Sequence, residues 1–84
     1  MSKITIYTTP ICPYCVRAKA LLKKKGAAFD EVDVFMDADA RAEMEQRSAR
    51  RTVPQIFIGE KHVGGCDDLY ALESNGQLDP LLAG

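Results

Sequence analysis

With 84 residues the chain predicts a single domain over residues 1–84, small enough that its core must be economical. Its composition, 46% apolar and 27% charged, is that of a globular domain, and no apolar run approaches the roughly 20 residues of a membrane span. A formal net charge of −1 argues against a nucleic-acid or membrane-surface binder, and Met1–Tyr7 lacks the apolar h-region of an export signal, which points to a reducing, cytoplasmic setting.

Ile4, Ile6 and Thr8 alternate with polar residues, as in a strand, and Thr9-Pro10-Ile11 breaks the pattern. Pro13 sits where a helix begins. Either Val16, Ala20 and Leu21 or Ala18, Leu21 and Leu22 form its apolar face up to Lys25, with Gly26 as the stop. Phe29, Val32 and Val34 predict a second strand. Asp37 to Ala49, rich in Ala, Glu, Met and Arg, predicts a second helix. Pro54 closes the connection. Gln55-Ile56-Phe57-Ile58 predicts a strand, Gly59-Glu60-Lys61 a turn and His62-Val63 a short return strand, followed by a Gly64-Gly65 loop. Cys66 or Asp67 opens a third helix through Leu69, Tyr70 and Leu72, stopped near Asn75-Gly76. Leu78, Leu81 and Leu82 pack a final turn on the core. The resulting order, β-α-β-α-β-β-α, predicts an α/β domain. Its first unit is a parallel crossover and its last two strands an antiparallel hairpin, giving a four-stranded mixed sheet with helices on both faces.

The chain has three cysteines, Cys12, Cys15 and Cys66, too few for a secreted disulfide scaffold. A lone Cys-x-x-Cys reads first as redox chemistry. Cys12 falls at the helix start, where unpaired N–H groups and the helix dipole favour thiolate, so its pKa is expected well below the free-thiol value of about 8.5. Cys15 lies on the same helical face one turn inward, with poor solvent access. That asymmetry assigns Cys12 as nucleophile and Cys15 as the thiol that resolves the mixed disulfide. Arg17 and Lys19 add positive charge nearby. The plainer readings are inert buried cysteines or a metal site drawn from Cys12, Cys15, His62 and Cys66, whose spacing is atypical of zinc modules.

Cys12-Pro13-Tyr14-Cys15, Thr52-Val53-Pro54 and Gly64-Gly65-Cys66-Asp67-Asp68 together resemble the motif set of dithiol glutaredoxins, in particular the small bacterial class, over Ile4 to Leu82. The resemblance implies a thioredoxin-like fold and a glutathione-dependent thiol–disulfide oxidoreductase acting on protein disulfides and glutathione mixed disulfides. It implies no tightly bound cofactor, no metal, and a monomer with glutathione as co-substrate. The partners implied are disulfide-containing or glutathionylated proteins, ribonucleotide reductase among the candidates. A cis peptide bond before Pro54 is implied, turning Val53 toward the cysteine sulfur so that glutathione pairs there like an added strand. The implied glutathione site is Cys12, Tyr14, Thr52, Val53, Pro54, Gly65, Cys66, Asp67 and Asp68. Helix N–H groups near Asp67 suit the γ-glutamyl carboxylate, and Asp68 or Asp67 suits its ammonium group. The alternative within the family is an iron–sulfur carrier, disfavoured by Pro13 and Tyr14.

Other residues carry plainer expectations. Asp67 also suits a helix cap. Arg41, Arg47, Arg50 and Arg51 read mainly as a solvated basic face, Lys23-Lys24-Lys25 as a solvated helix end, and His62 as a strand surface residue. Cys66 is either a second oxidation target or a small packed residue. Many glutaredoxins carry a lysine shortly before the first cysteine. Here Thr9, Pro10 and Ile11 stand there, leaving the helix N-terminus or an arginine such as Arg41 or Arg47 to supply the charge.

Overall fold

The computed structural model describes residues 3–83; Met1, Ser2 and Gly84, part of the stretch read for an export signal and of the 1–84 domain, lie outside the described residues. Eight elements follow in order: β1 (Ile4–Thr8), α1 (Pro13–Lys24), β2 (Asp30–Asp33), α2 (Ala38–Ser48), β3 (Gln55–Ile58), β4 (Lys61–Gly64), α3 (Cys66–Ser74) and α4 (Leu78–Ala83). The sheet order is β2-β1-β3-β4, with β1 and β2 parallel and the other two pairings antiparallel. The four-stranded mixed α/β sheet predicted from the pattern is the one observed, and so is the thioredoxin-like fold that the resemblance implies.

The two central strands are buried on both faces, which explains why Gln55–Ile58 reads as a near-continuous apolar run, while the alternation of Ile4, Ile6 and Thr8 is interrupted by the buried Tyr7. Ile4, Ile6, Ile56 and Ile58 face one core with Ala18, Leu21 and Leu22 of α1, Leu69 of α3 and Leu78 of α4. Tyr7 and Phe57 point the other way, onto Val34 and Met44 of α2. The apolar face of α1 is therefore Ala18-Leu21-Leu22, while Val16 is exposed.

Four boundaries differ from the expectations. β2 is the polar segment Asp30–Asp33, with Phe29 and Val34 flanking it, because an edge strand paired on one side needs backbone more than apolar side chains. β4 takes in Lys61 and Gly64, leaving Gly59 and Glu60 as the turn. Gly65, not Asp67, is the N-cap of α3. The last turn is a helix, so the order ends in two helices, and it docks through the fully buried Leu78. Lys25 is also not simply solvated: its ammonium group bridges Glu73 at 2.8 Å and Asp79 at 2.9 Å, which ties α3 and α4 to the end of α1 and pushes its pKa up.

This topology positions the site. β1 and β2 run parallel, so the loops leaving them emerge at one end of the sheet. β3 runs opposite to β1, with Tyr7 paired to Gln55, so the loop entering β3 lies at that same end. β4 reverses again, with Gly64 paired to Ile56, and its exit joins them. Three segments distant in sequence, 9–12, 52–54 and 64–65, thereby converge at one end of the sheet, where open α/β sheets place their ligands.

Candidate active site

Cys12 is the N-cap of α1, in extended conformation, and its Sγ accepts the backbone N–H of Cys15 at 3.1 Å. Proline at the first helical position costs the helix nothing, because that N–H has no intrahelical partner. Cys12 is half-buried, whereas Cys15 is 1% exposed, and both are free thiols. Burial pushes the Cys15 thiol up to about 12, the hydrogen bond to Cys12 adds to the rise, and a backbone hydrogen bond from Thr9 opposes it. One turn of helix thus separates an accessible sulfur held against an N–H donor from a sequestered one that stays protonated at neutral pH.

The Val53–Pro54 peptide bond is cis. The Cys12 S–H donates to Val53 O at 3.9 Å, which puts the second motif against the first. Tyr14, Thr52, Val53, Pro54, Gly65, Cys66, Asp67 and Asp68 line one cleft of about 300 Å³. Cys12 stands beside it through Val53. All nine residues expected at the site are therefore gathered in one place.

Asp68 is the third residue of α3, and its Oδ2 accepts the N–H of Gly65 at 2.9 Å, half of a capping box whose N-cap is a glycine. The same oxygen takes the Arg50 guanidinium at 3.0 Å. These two contacts, the Gly65 N–H first, hold the Asp68 carboxyl below the ordinary Asp range. Gly64, at φ +115°, is what lets the chain turn this closely: a Cβ there would collide with the Asp68 carboxylate. We expect Gly64→Ala to cost roughly 1–3 kcal/mol for the backbone alone, with the collision on top. Gly76→Ala, at φ +71° with open space around it, supplies the comparison. Thermal melting checks this, and equal melting temperatures for the two variants would show that the collision is relieved at no cost.

Two site residues escaped the sequence reading. Arg50 lines the cleft, whereas Arg41 donates to Arg51 O and Arg47 lies over the Phe57 ring at 4.1 Å and donates to the Tyr7 hydroxyl. The cation at the cleft is thus neither Arg41 nor Arg47. Nothing in the run from Arg47 to Arg51 distinguishes them without the turn that follows the left-handed Ala49. Gln55, fully buried, donates to Thr52 O at 3.0 Å and Thr52 Oγ1 at 3.2 Å, while its Oε1 meets His62 Nε2 at 2.7 Å. It braces the Thr52–Pro54 segment from below. The signal available was a polar residue opening an otherwise apolar strand. His62 is therefore half-buried against Phe57, not a plain surface residue, and burial followed by the charge of Arg50 pushes its pKa down.

The cations expected near Cys12 are engaged elsewhere. Arg17 lies over the Tyr70 ring at 5.4 Å, and Lys19 pairs with Glu31 at 2.9 Å. Glu31 also accepts the buried Thr8 hydroxyl at 2.7 Å, and this bond, with Lys19 next, draws its pKa down. Cys66 is buried, and burial pushes its thiol pKa up, which favours the packed role over the oxidation target. Among the described residues no three His, Cys, Asp or Glu side chains gather as a metal site. Among them, too, no helix is long and apolar enough to cross a membrane.

A Cys-x-x-Cys at the start of the first helix, facing a cis-proline loop at one end of this four-stranded sheet, defines a thiol–disulfide oxidoreductase of the thioredoxin-like fold. The family model described as glutaredoxin matches residues 4–63. Glutaredoxin 3 of Escherichia coli strain K12 is 58% identical over 82 residues, covering 98% of this chain and 99% of that protein. The solution structure of glutaredoxin from Brucella melitensis, 63% identical, superposes with a TM-score of 0.86 over 98% of this chain and 89% of that one. The buckwheat glutaredoxin–glutathione complex, 33% identical, gives 0.89 over 98% and 77%. The chain belongs to the glutaredoxin family, as a dithiol member of the bacterial type. It is a glutathione-dependent thiol–disulfide oxidoreductase with two active-site cysteines.

Proposed function

We propose that this single-domain enzyme reduces both protein disulfides and glutathione mixed disulfides in the cytoplasm, as a monomer, with Cys12 as nucleophile and Cys15 as resolving thiol. The observation that carries the assignment is the asymmetry of the pair: an accessible Cys12 sulfur on the Cys15 N–H at 3.1 Å, and a Cys15 thiol buried behind it. The Cys12 thiolate attacks one sulfur of the substrate disulfide. The Cys12–substrate S–S bond forms, the old S–S bond breaks, and the other sulfur leaves as a thiolate that takes a proton from solvent. Cys15, losing its proton, attacks the Cys12 sulfur and expels the second substrate thiol. Two glutathiones then reduce the Cys12–Cys15 disulfide and leave as glutathione disulfide, so two electrons pass in each turnover. With a glutathionylated substrate, Cys12 takes the glutathionyl group and a second glutathione resolves it.

Glutathione is proposed to lie in the cleft, as supported by the complex formed by the buckwheat relative. Its backbone would pair with Val53, flanked by Tyr14, Thr52 and Pro54. Its γ-glutamyl end is a zwitterion, and the Arg50–Asp68 pair is its complement: Asp68 for the ammonium group, Arg50 with the N–H groups of Cys66 and Asp67 for the carboxylate. Arg50 thus offers the cation that Thr9, Pro10 and Ile11 do not. The test is reduction of hydroxyethyl disulfide with glutathione, glutathione reductase and NADPH. Turnover first-order in enzyme is expected, and a rate no higher than background would overturn the assignment.

A further inference from the structure

The described residues hold five large apolar side chains that stay exposed: Ile11, Tyr14, Val16, Phe35 and Met36. Tyr14 belongs to the cleft. Ile11 at 94%, Met36 at 86% and Phe35 at 62% do not, and isolated apolar residues need no explanation only when they are scattered. These are not scattered. Because β1 and β2 are parallel neighbours, the loops after them leave the sheet side by side, and Thr9, Pro10 and Ile11 from one meet Phe35 from the other around a groove of about 150 Å³. A cavity of that size with apolar walls accommodates a benzene ring, which is to say one apolar side chain.

Two observations identify the occupant. Ile11, which lines the groove, directly precedes Cys12, so the groove begins one residue along the chain from the reacting cysteine and a polypeptide joined to Cys12 Sγ starts beside it. The segment that carries Phe35 is acidic: Asp33 and Asp37 bracket Phe35 and Met36 in the chain. Their carboxylates accept backbone N–H groups of Phe35 and Ala40 at 2.8 and 3.0 Å, and among the described residues neither forms an ion pair. Glutathione has no apolar side chain for the groove and would bring two carboxylates toward the acidic Asp33–Asp37 segment. A polypeptide with an apolar residue beside its cysteine and a lysine or arginine next to that suits both features.

We propose that the Thr9–Ile11/Phe35 groove is the docking seat for disulfide-bearing polypeptide substrates, selecting an apolar residue adjacent to the reactive cysteine and a basic residue near it. The proposal rests on the Cys12 chemistry above and names the partner surface that chemistry uses. Glutathione and polypeptide then have separate seats: a cleft carrying the charged Arg50–Asp68 pair, and an apolar groove at Ile11 and Phe35 flanked in the chain by Asp33 and Asp37.

The experiment uses two synthetic peptides with the same intramolecular disulfide, one with Leu before and Lys after its first cysteine, the other with Ser and Glu. Each is reduced by the full-length enzyme with glutathione, glutathione reductase and NADPH, beside hydroxyethyl disulfide. The wild type is expected to prefer the Leu/Lys peptide by roughly tenfold or more in kcat/KM, the effect of burying one apolar side chain. Ile11→Ser and Phe35→Ser, both at exposed positions, are each expected to abolish that preference and leave hydroxyethyl disulfide turnover unchanged. Equal rates for the two peptides with the wild type, or equal losses for peptides and hydroxyethyl disulfide in both variants, would overturn the groove alone. Loss of hydroxyethyl disulfide turnover in the wild type itself would instead remove the Cys12 chemistry on which the proposal rests.

Discussion

Cys12→Ser is expected to bring every activity down to the uncatalysed background, a fall on the order of 10³ or more, while Cys15→Ser keeps deglutathionylation and loses the reduction of protein disulfides. The first half follows from chemistry. A serine hydroxyl at the N-cap would accept the Cys15 N–H as well as sulfur does, so the helix survives, yet an alcohol at neutral pH does not displace a sulfur from a disulfide. The second half follows from burial. Cys15 is sealed behind Cys12 with its thiol pushed up to about 12, so in the proposed mechanism it can act only as an intramolecular partner. Glutathione from solvent replaces it when the substrate is a glutathione mixed disulfide, because only Cys12 must then be reached. Hydroxyethyl disulfide, a glutathionylated peptide and a protein disulfide, assayed side by side, separate the roles. Equal losses in the two variants would contradict them. Burial of the neutral Cys15 thiol also has a pH signature. Its folded pKa lies above the unfolded value of about 8.5, so its contribution to stability is complete below that pH and is lost as the pH rises toward 12.

Asp68→Asn is expected to raise the KM for glutathione by roughly 10- to 100-fold, the usual effect of losing a charge-assisted hydrogen bond, with little change in melting temperature. An asparagine oxygen still accepts the Gly65 N–H, so the start of α3 keeps its cap while the cleft loses the carboxylate that pairs with Arg50. Asp68→Ala removes both, and should add a stability loss of about 1 kcal/mol for the cap, which in a domain of this size is roughly 4–8 °C. Steady-state kinetics in glutathione and thermal melting of both variants check the two halves separately. A normal KM in Asp68→Asn would leave Asp68 as a cap and nothing more. The sign with pH is the reverse of that for Cys15. Asp68 is held below the usual Asp range, so its contribution to stability is complete above about pH 3.9 and is lost as the pH falls through the lower folded value.

The same two residues show how far local reading reaches. A cysteine, a proline and an apolar face at Ala18, Leu21 and Leu22 specify a helix start without reference to the rest of the chain, and the different surroundings of Cys12 and Cys15 follow from helical geometry alone. The β-strands were legible with their bounds where burial on both faces made the run apolar, as in Gln55–Ile58, whereas the second strand was legible but its bounds were not, because pairing rather than apolar side chains defines Asp30–Asp33. Lys25 and His62 were read as solvated, because their partners Glu73, Asp79, Gln55 and Phe57 come from other turns and strands.

By itself the sequence determined the order of elements as far as α3, the redox-active pair and, through three motifs in a fixed order, the glutaredoxin resemblance. These are properties of short segments, governed by backbone geometry and apolar period. The tertiary structure alone decided which charged groups meet. It took Arg50 rather than Arg41 or Arg47 to the cleft, turned Lys19 toward Glu31 instead of the active site, and set Gln55 beneath Thr52. It also brought Ile11 beside Phe35, two residues that no local pattern connects. The physical reason is the same throughout. A charged or amphipathic side chain has no preferred neighbour along its own segment, and its partner is chosen by how parallel and antiparallel pairings gather the loops at one end of the sheet.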